Sequence, residues 1–201
     1  MDILDKIYDD LCIRLALHHQ LYTLRCRSEY LEEIISKSAC DCGMSSDWKD
    51  DLNHKVGVDQ TINDLRISNK SGQYNNHKKG WVKISGSRTS KFSSLEDKVN
   101  FLSQKNFDFM ILAATCNKEW QAGNKFYHLI KIDQETLNYK NLKWITEKDK
   151  KGRNKYKTCP NTHKNIKGLI GADENANGQL WTWVHKSLFS YHKILNWQDL
   201  L

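Results

Sequence analysis

A chain of 201 residues, 39% hydrophobic and 27% charged, has the length of one domain and the apolar content to fill a core, which excludes a disordered protein. One proline and ten glycines exclude collagen-like and polyproline designs, and no apolar run reaches the roughly 18–20 residues that cross a bilayer. Thirty-one basic residues against 24 acidic ones leave a net charge of +7 and a pI near 9.0, a field that attracts phosphate-rich partners.

The N-terminal run MDILDKIYDDL is acidic and amphipathic where a signal peptide is basic and then apolar, so a soluble, cytoplasmic protein is expected. Ile3, Ile7, Leu11, Leu15 and Leu17 recur at helical spacing over residues 2–24. A second helix is expected from Ser28, with Tyr30, Leu31, Ile34 and Ile35 on one face and Gly43 as its stop. The period then changes to two: residues 54–72 read as a hairpin and GWVKISGS as a third strand. Ser93 followed by Glu96 has the form of a capping box, opening a helix that carries Leu95, Val99 and Leu102. FDFMILAAT, residues 107–115, is apolar on both faces and reads as a central buried strand. NKFYHLIKI and QLWTWVH supply two more strands. The chain reads as a single domain, with an N-terminal helix in 1–27, a core in 28–132 and an elaboration in 133–201 where no motif is legible.

The positive charge is concentrated. Between Lys148 and Lys167 lie Lys150, Lys151, Arg153, Lys155, Lys157 and Lys164, with Asp149 as the only acid. Trp144, Tyr156, Trp181 and Trp183 flank this stretch, a pairing of cations and rings suited to nucleic acid. Arg88, in the polar turn after the third strand, is a further phosphate contact. Of six cysteines, Cys12, Cys26 and Cys116 sit in apolar contexts and read as core; Cys40 and Cys42 are too close for a zinc ligand pair. No phosphate-cradling GxxxxGK[ST], GxGxxG or GxSxG run occurs.

The hairpin carries the chemistry. With Asn63-Asp64 as a two-residue turn, Asp59 falls opposite Ser68 and Gly57 opposite Lys70. Val56, Val58, Ile62, Leu65 and Ile67 then share the core face, and Asp59, Thr61, Arg66, Ser68 and Lys70 the other. An acid and a lysine brought together on a basic protein suit phosphodiester hydrolysis. The carboxylate holds Mg²⁺, or another divalent ion such as Mn²⁺, and the lysine orients water and offsets charge on the phosphate. The backbone carbonyl of Asn69 is a further oxygen ligand for such an ion.

The element order, with Asp59 on one strand and Lys70 on the next, resembles the PD-(D/E)XK nuclease superfamily, especially its type II restriction endonucleases. The run ISNKSG is similar to the I-S-x-K-S of some restriction enzymes, and GVD to their entry to the metal aspartate. The resemblance implies an α/β fold with a restriction-endonuclease-like core, a mixed central sheet flanked by helices. It also implies a glutamate from the helix before the three-stranded meander. Glu29, Glu32 and Glu33 are available, and Glu32 lies nearest the edge of the apolar stripe. The family pattern has an acid two residues before the lysine where this chain has Ser68. Some members supply the missing carboxylate from the following helix, which makes Glu96 the alternative metal ligand to Glu32.

The expectation is therefore a Mg²⁺-dependent restriction-type endonuclease that cuts double-stranded DNA as a homodimer. Asp59, Lys70, Glu32 and Ser68 form its site, the 148–167 segment tracks phosphates, and Gln73, Asn75, Asn76, Arg153, Asn161 and Gln179 are the candidates for reading base edges. The alternative is a non-catalytic nucleic-acid-binding protein that uses the same basic surface.

Overall fold

Two helices open the chain, each ended by its own sequence. In α1 (Ile3–Leu21) the Asp2 carboxylate caps the start, accepting from the Leu4 N–H at 2.9 Å. Leu4, Ile7, Leu11 and Leu15 are buried, whereas Leu17, expected on that face, is 55% exposed: the stripe runs through position 4 and misses 17. α2 (Ser28–Asp41) buries Leu31, Ile35 and Ala39 and leaves Tyr30 exposed. Gly43, at φ +77°, closes it in a Schellman motif, with Met44 N–H donating to the Ala39 carbonyl and Gly43 N–H to that of Cys40.

The computed structural model describes residues 2–48, 58–75, 80–87, 89–137, 139–148, 150–152, 154–158, 169–174 and 177–200. After β1 (Ser46–Asp47) come β2 (Gln60–Ile62) and β3 (Leu65–Asn75), joined by Asn63 and Asp64 at φ 47° and 65°. Two left-handed residues make the turn that matches strand twist, so Ile62 faces Leu65 as the sequence predicts. β4 (Trp81–Ser87), α3 (Leu95–Ser103), β5 (Phe109–Thr115), α4 (Asn117–Gln121) and β6 (Tyr127–Asp133) follow. The remainder holds β7 (Trp144–Lys148), β8 (Asn154–Thr158), β9 (Ile170–Glu174), β10 (Leu180–His185) and β11 (Tyr191–Leu195).

These strands form one open, mixed sheet in the order β11-β6-β5-β3-β4-β10-β9-β8-β7, with β2 pairing β3 and β1 pairing β2. β3 and β5 are the parallel pair, and the other described pairings are antiparallel. The seven residues of β5 are all buried, which its two-faced apolar sequence dictates. α1 and α2 cover one face through Ile62, Ile67, Ile111, Tyr127 and Trp197; α3 lies over the other with Ile84, Leu102, Leu112 and Val184. Among the described residues no helix is long and apolar enough to cross a membrane.

In the 133–201 segment, where the sequence shows no motif, β7 pairs with β8 as a hairpin. Two sequence expectations change. Tyr156 points into the second core at 5% exposure, because its neighbour in register on β9 is the buried Ala172. The cap of α3 moves by one residue: Asp97 N–H donates to Ser94 Oγ at 3.0 Å and Ser94 Oγ donates to the Asp97 carboxylate at 2.7 Å, which leaves Glu96 exposed beside the cap. Ser94→Ala is thus expected to cost about 1 kcal/mol, a fall in Tm of roughly 2–4 °C, while Glu96→Gln leaves thermal unfolding unchanged.

Candidate active site

The site forms where β3 has only one strand beside it. β5 runs along one edge of β3 from Ile67 to Gln73. The other edge is shared by β2, paired with Leu65–Ile67, and β4, paired with 72–75, so residues 68–71 have no strand partner there. Asp59 fills the gap. Its N–H donates to the Ile67 carbonyl at 2.8 Å although Gln60 is the residue in register with Ile67. Two residues opposite one is the signature of a β-bulge, so the expected pairing of Asp59 with Ser68 is replaced by a one-residue step. The step also reverses the face of Val58, which packs in the second core with Ile84 and Leu112 and not beside Ile62.

The bulge turns the Asp59 carboxylate onto the open edge of β3. Oδ2 accepts from Ser68 Oγ at 3.2 Å, from the Asn69 N–H at 2.7 Å and from Lys70 Nζ at 2.7 Å. Lys70 Nζ also donates to the Asn69 carbonyl at 2.6 Å. The ammonium therefore bridges the two oxygens that the sequence nominates as metal ligands. Ser68 and Asn69 are fully buried, while the side chains of Lys70 and Asp59 keep 23% and 16% of their surface in solvent. Arg66, expected on the Asp59 face, instead clasps Asp108 at the start of β5 through contacts of 2.8 and 3.2 Å, which ties the hairpin to the central strand.

Glu32 approaches from α2. It is 8% exposed, and burial pushes its carboxyl up to about 7, with the Asp59 charge adding to the shift and Lys70 opposing it. Glu33 pairs with Lys37 at 2.6 Å and Glu29 is exposed. Glu96 makes no hydrogen bond or ion pair with Asp59 or Lys70. Lys105, in the turn after α3, was not singled out by the sequence: it borders a small cavity with Lys70, Tyr139 and Thr182. Burial first, and Lys70 second, push its amine down to about 8. A lysine in a polar turn carries no pattern that announces this. Two further side chains, the amides of Gln60 and Asn69, are buried without a hydrogen-bond partner.

The donor set fits a hard divalent ion. Two carboxylates, Asp59 and Glu32, with the Asn69 carbonyl would make an all-oxygen donor set of the kind Mg²⁺ takes. Burial first, and the like charge of Asp59 second, raise the Glu32 carboxyl. Among the described residues no group of three or more His, Cys, Asp or Glu side chains is placed to hold a metal.

The expected DNA contacts lie elsewhere on the sheet. Lys150 and Lys151 are exposed in the β7–β8 turn and Lys155 sits on β8, four strands and roughly 20 Å from β3. Gln73 is exposed on β3, and Gln179 precedes β10. Arg88, Arg153, Lys164, Asn76 and Asn161 lie outside the described residues, as do the side chains of Asn75 and Lys157. Comparisons with protein-family models, curated proteins and solved structures found no match.

The sign of the Glu32 shift makes a prediction. A carboxyl held near 7 in the fold, against 4.5 ordinarily, destabilises the protein when charged, and the penalty disappears at pH below about 4.5, where both states are protonated. Glu32→Gln is expected to raise stability by roughly 1–3 kcal/mol at pH 8 in the presence of a chelator, with the gain fading as pH falls from about 7 to 4.5. Denaturant unfolding of both proteins across that pH range checks it.

Proposed function

We propose that the chain is a metal-dependent endonuclease that hydrolyses DNA phosphodiester bonds through a site of the PD-(D/E)XK type. The observation that carries this reading is the convergence of the Asp59 carboxylate, the Asn69 carbonyl and Lys70 Nζ within 2.7 Å at an unpaired strand edge, with the Glu32 carboxyl close enough to feel the charge of Asp59. Asp59, Glu32 and the Asn69 carbonyl would hold Mg²⁺ or Mn²⁺, which supplies Lewis-acid polarisation of the phosphate and of water. Lys70 orients the attacking water and offsets the charge that develops on the phosphate. Ser68 stands where the family pattern has an acid; here its hydroxyl donates to Asp59 and fixes the carboxylate's direction. In the restriction-type form of this reading, a homodimer sets one such site against each strand of a specific duplex sequence, and Lys150, Lys151 and Lys155 contact its backbone.

One observation favours the second reading, a non-catalytic nucleic-acid-binding protein. Lys70 already satisfies both Asp59 and the Asn69 carbonyl, as an internal structural ion pair would.

Magnesium-dependent nicking of plasmid DNA separates the two. Asp59→Asn and Lys70→Ala are each expected to lower cleavage by about 100-fold or more while metal-free DNA affinity changes little, because one charge is a small part of an extended electrostatic interface. Near-normal cleavage by Asp59→Asn would refute the site. Discrete fragments from a long defined DNA assign a restriction specificity, and a smear assigns non-specific cleavage.

A further inference from the structure

The outer side of α1 carries apolar side chains that nothing in the described fold covers. The helix turns Leu4, Ile7, Leu11 and Leu15 to the sheet, so Ile13, Leu17 and Leu21 point away from it. With Tyr22, Leu24 and Tyr30 they are between 50% and 78% exposed, and these six are more than half of the ten large hydrophobics left exposed among the described residues. Tyr22 and Tyr30 both lie against His18, with ring centres 5.0 and 6.0 Å away, which joins the end of α1 to the start of α2 in one surface. Single exposed apolar residues are ordinary on a folded protein, whereas a contiguous group at one corner marks a face that a partner covers. Asp9, Ile13, Leu17 and Leu21 stand four residues apart and form one ridge along the helix. Asp9 is exposed at one end of the ridge, and Arg27 is exposed just past the other end, where α2 begins.

We infer that this face of α1 is where two copies of the chain join, their helices packed antiparallel about a two-fold axis at Leu17. A two-fold contact needs a surface complementary to itself. One ridge of residues four apart meets that need, because the ridge of each helix seats in the groove beside the same ridge of the other. About Leu17 the antiparallel arrangement sets Ile13 against Leu21 of the second copy. It also sends Asp9 toward Arg27 of the second copy, at both ends of the contact. A parallel pair would set Asp9 against Asp9, so the charges select the antiparallel one. Arg14, beside the ridge, is engaged by Asp10 and Asp41 of its own chain, so the charges that reach across are those at the ends. Lys6 lies almost a turn farther out than Asp9, beyond the end of the facing helix. The contact gives the restriction-type homodimer an interface, but it stands on the exposed ridge and not on the endonuclease reading.

The test is sedimentation velocity of the whole protein over a concentration series from about 1 to about 100 µM. A species of twice the 23.6 kDa chain mass is expected to dominate at the upper end. Leu17→Glu sets two like charges on the axis and is expected to weaken association by about 100-fold or more. Its circular dichroism spectrum is expected to be unchanged, because the Leu17 side chain already stands half in solvent. Asp9→Arg is expected to weaken association by about tenfold, and adding Arg27→Asp to it to restore the dimer. A wild-type protein that stays monomeric at the highest concentration, or a folded Leu17→Glu that dimerises as well as wild type, overturns the inference. Failure of Arg27→Asp to restore the Asp9→Arg dimer overturns the antiparallel arrangement. Plasmid nicking keeps the two readings apart: a monomer that cleaves with Mg²⁺ removes the two-fold contact and leaves the nuclease, and a dimer that never cleaves does the reverse.

Discussion

A strand edge that has lost its neighbour must have its peptide groups satisfied by something else, and the stretch of β3 from Ser68 to Ser71 is such an edge. The other edge of β3 is committed along its length to β5, a strand buried on both faces, so the peptide at Asn69 has no freedom to turn away. Its N–H is met by the Asp59 carboxylate and its carbonyl by the Lys70 ammonium. The chemistry of the site is therefore a consequence of a backbone requirement. The same groups that complete the sheet present a carboxylate, a carbonyl and an amine to one point.

Around that point each sign of charge occurs twice. Asp59 disfavours ionised Glu32, and Lys70 disfavours the charged form of Lys105, while each is favoured by the opposite partner. Burial is the largest cause of both shifts and brings the Glu32 carboxyl to about 7 and the Lys105 amine to about 8. Two groups drawn from opposite ends of the pH scale toward neutrality at one location are a recurrent property of functional sites. The buried amides of Gln60 and Asn69, lacking partners, mark the same region as one where stability has not been maximised.

The rest of the sheet arranges surfaces at set distances from this cluster. Toward β4 and β10 lies the cationic, aromatic face with Lys83 at its centre, and farther along, at β8 and the β7–β8 turn, the exposed lysines. Because neighbouring strands are separated by about 4.8 Å, a continuous sheet holds these surfaces in a fixed row. Arg66 with Asp108 and the parallel β3–β5 ladder make the hairpin part of that rigid row and not an appendage to it.

The sequence by itself determined the local elements whose signals are short-range. Asn63-Asp64 specified a turn because both residues tolerate positive φ, Gly43 ended α2 for the same reason, and FMILAAT could only be a strand covered on both faces. The nearness of Asp59 to Lys70 was legible too, since a two-residue turn sets the count along both arms. Tertiary structure decided what that count could not. The bulge at Asp59 depends on Ile67 accepting from two successive residues, and it sent Val58 to the opposite core. Lys105 joined the site because the chain after α3 folds back over Lys70, and Glu32 entered it only because α2 packs against that edge of the sheet. Trp181 and Trp183 met Lys83 through an antiparallel pairing between strands distant in sequence, β4 and β10. Contacts of that kind are selected by burial across the whole sheet, and no local run of residues encodes them.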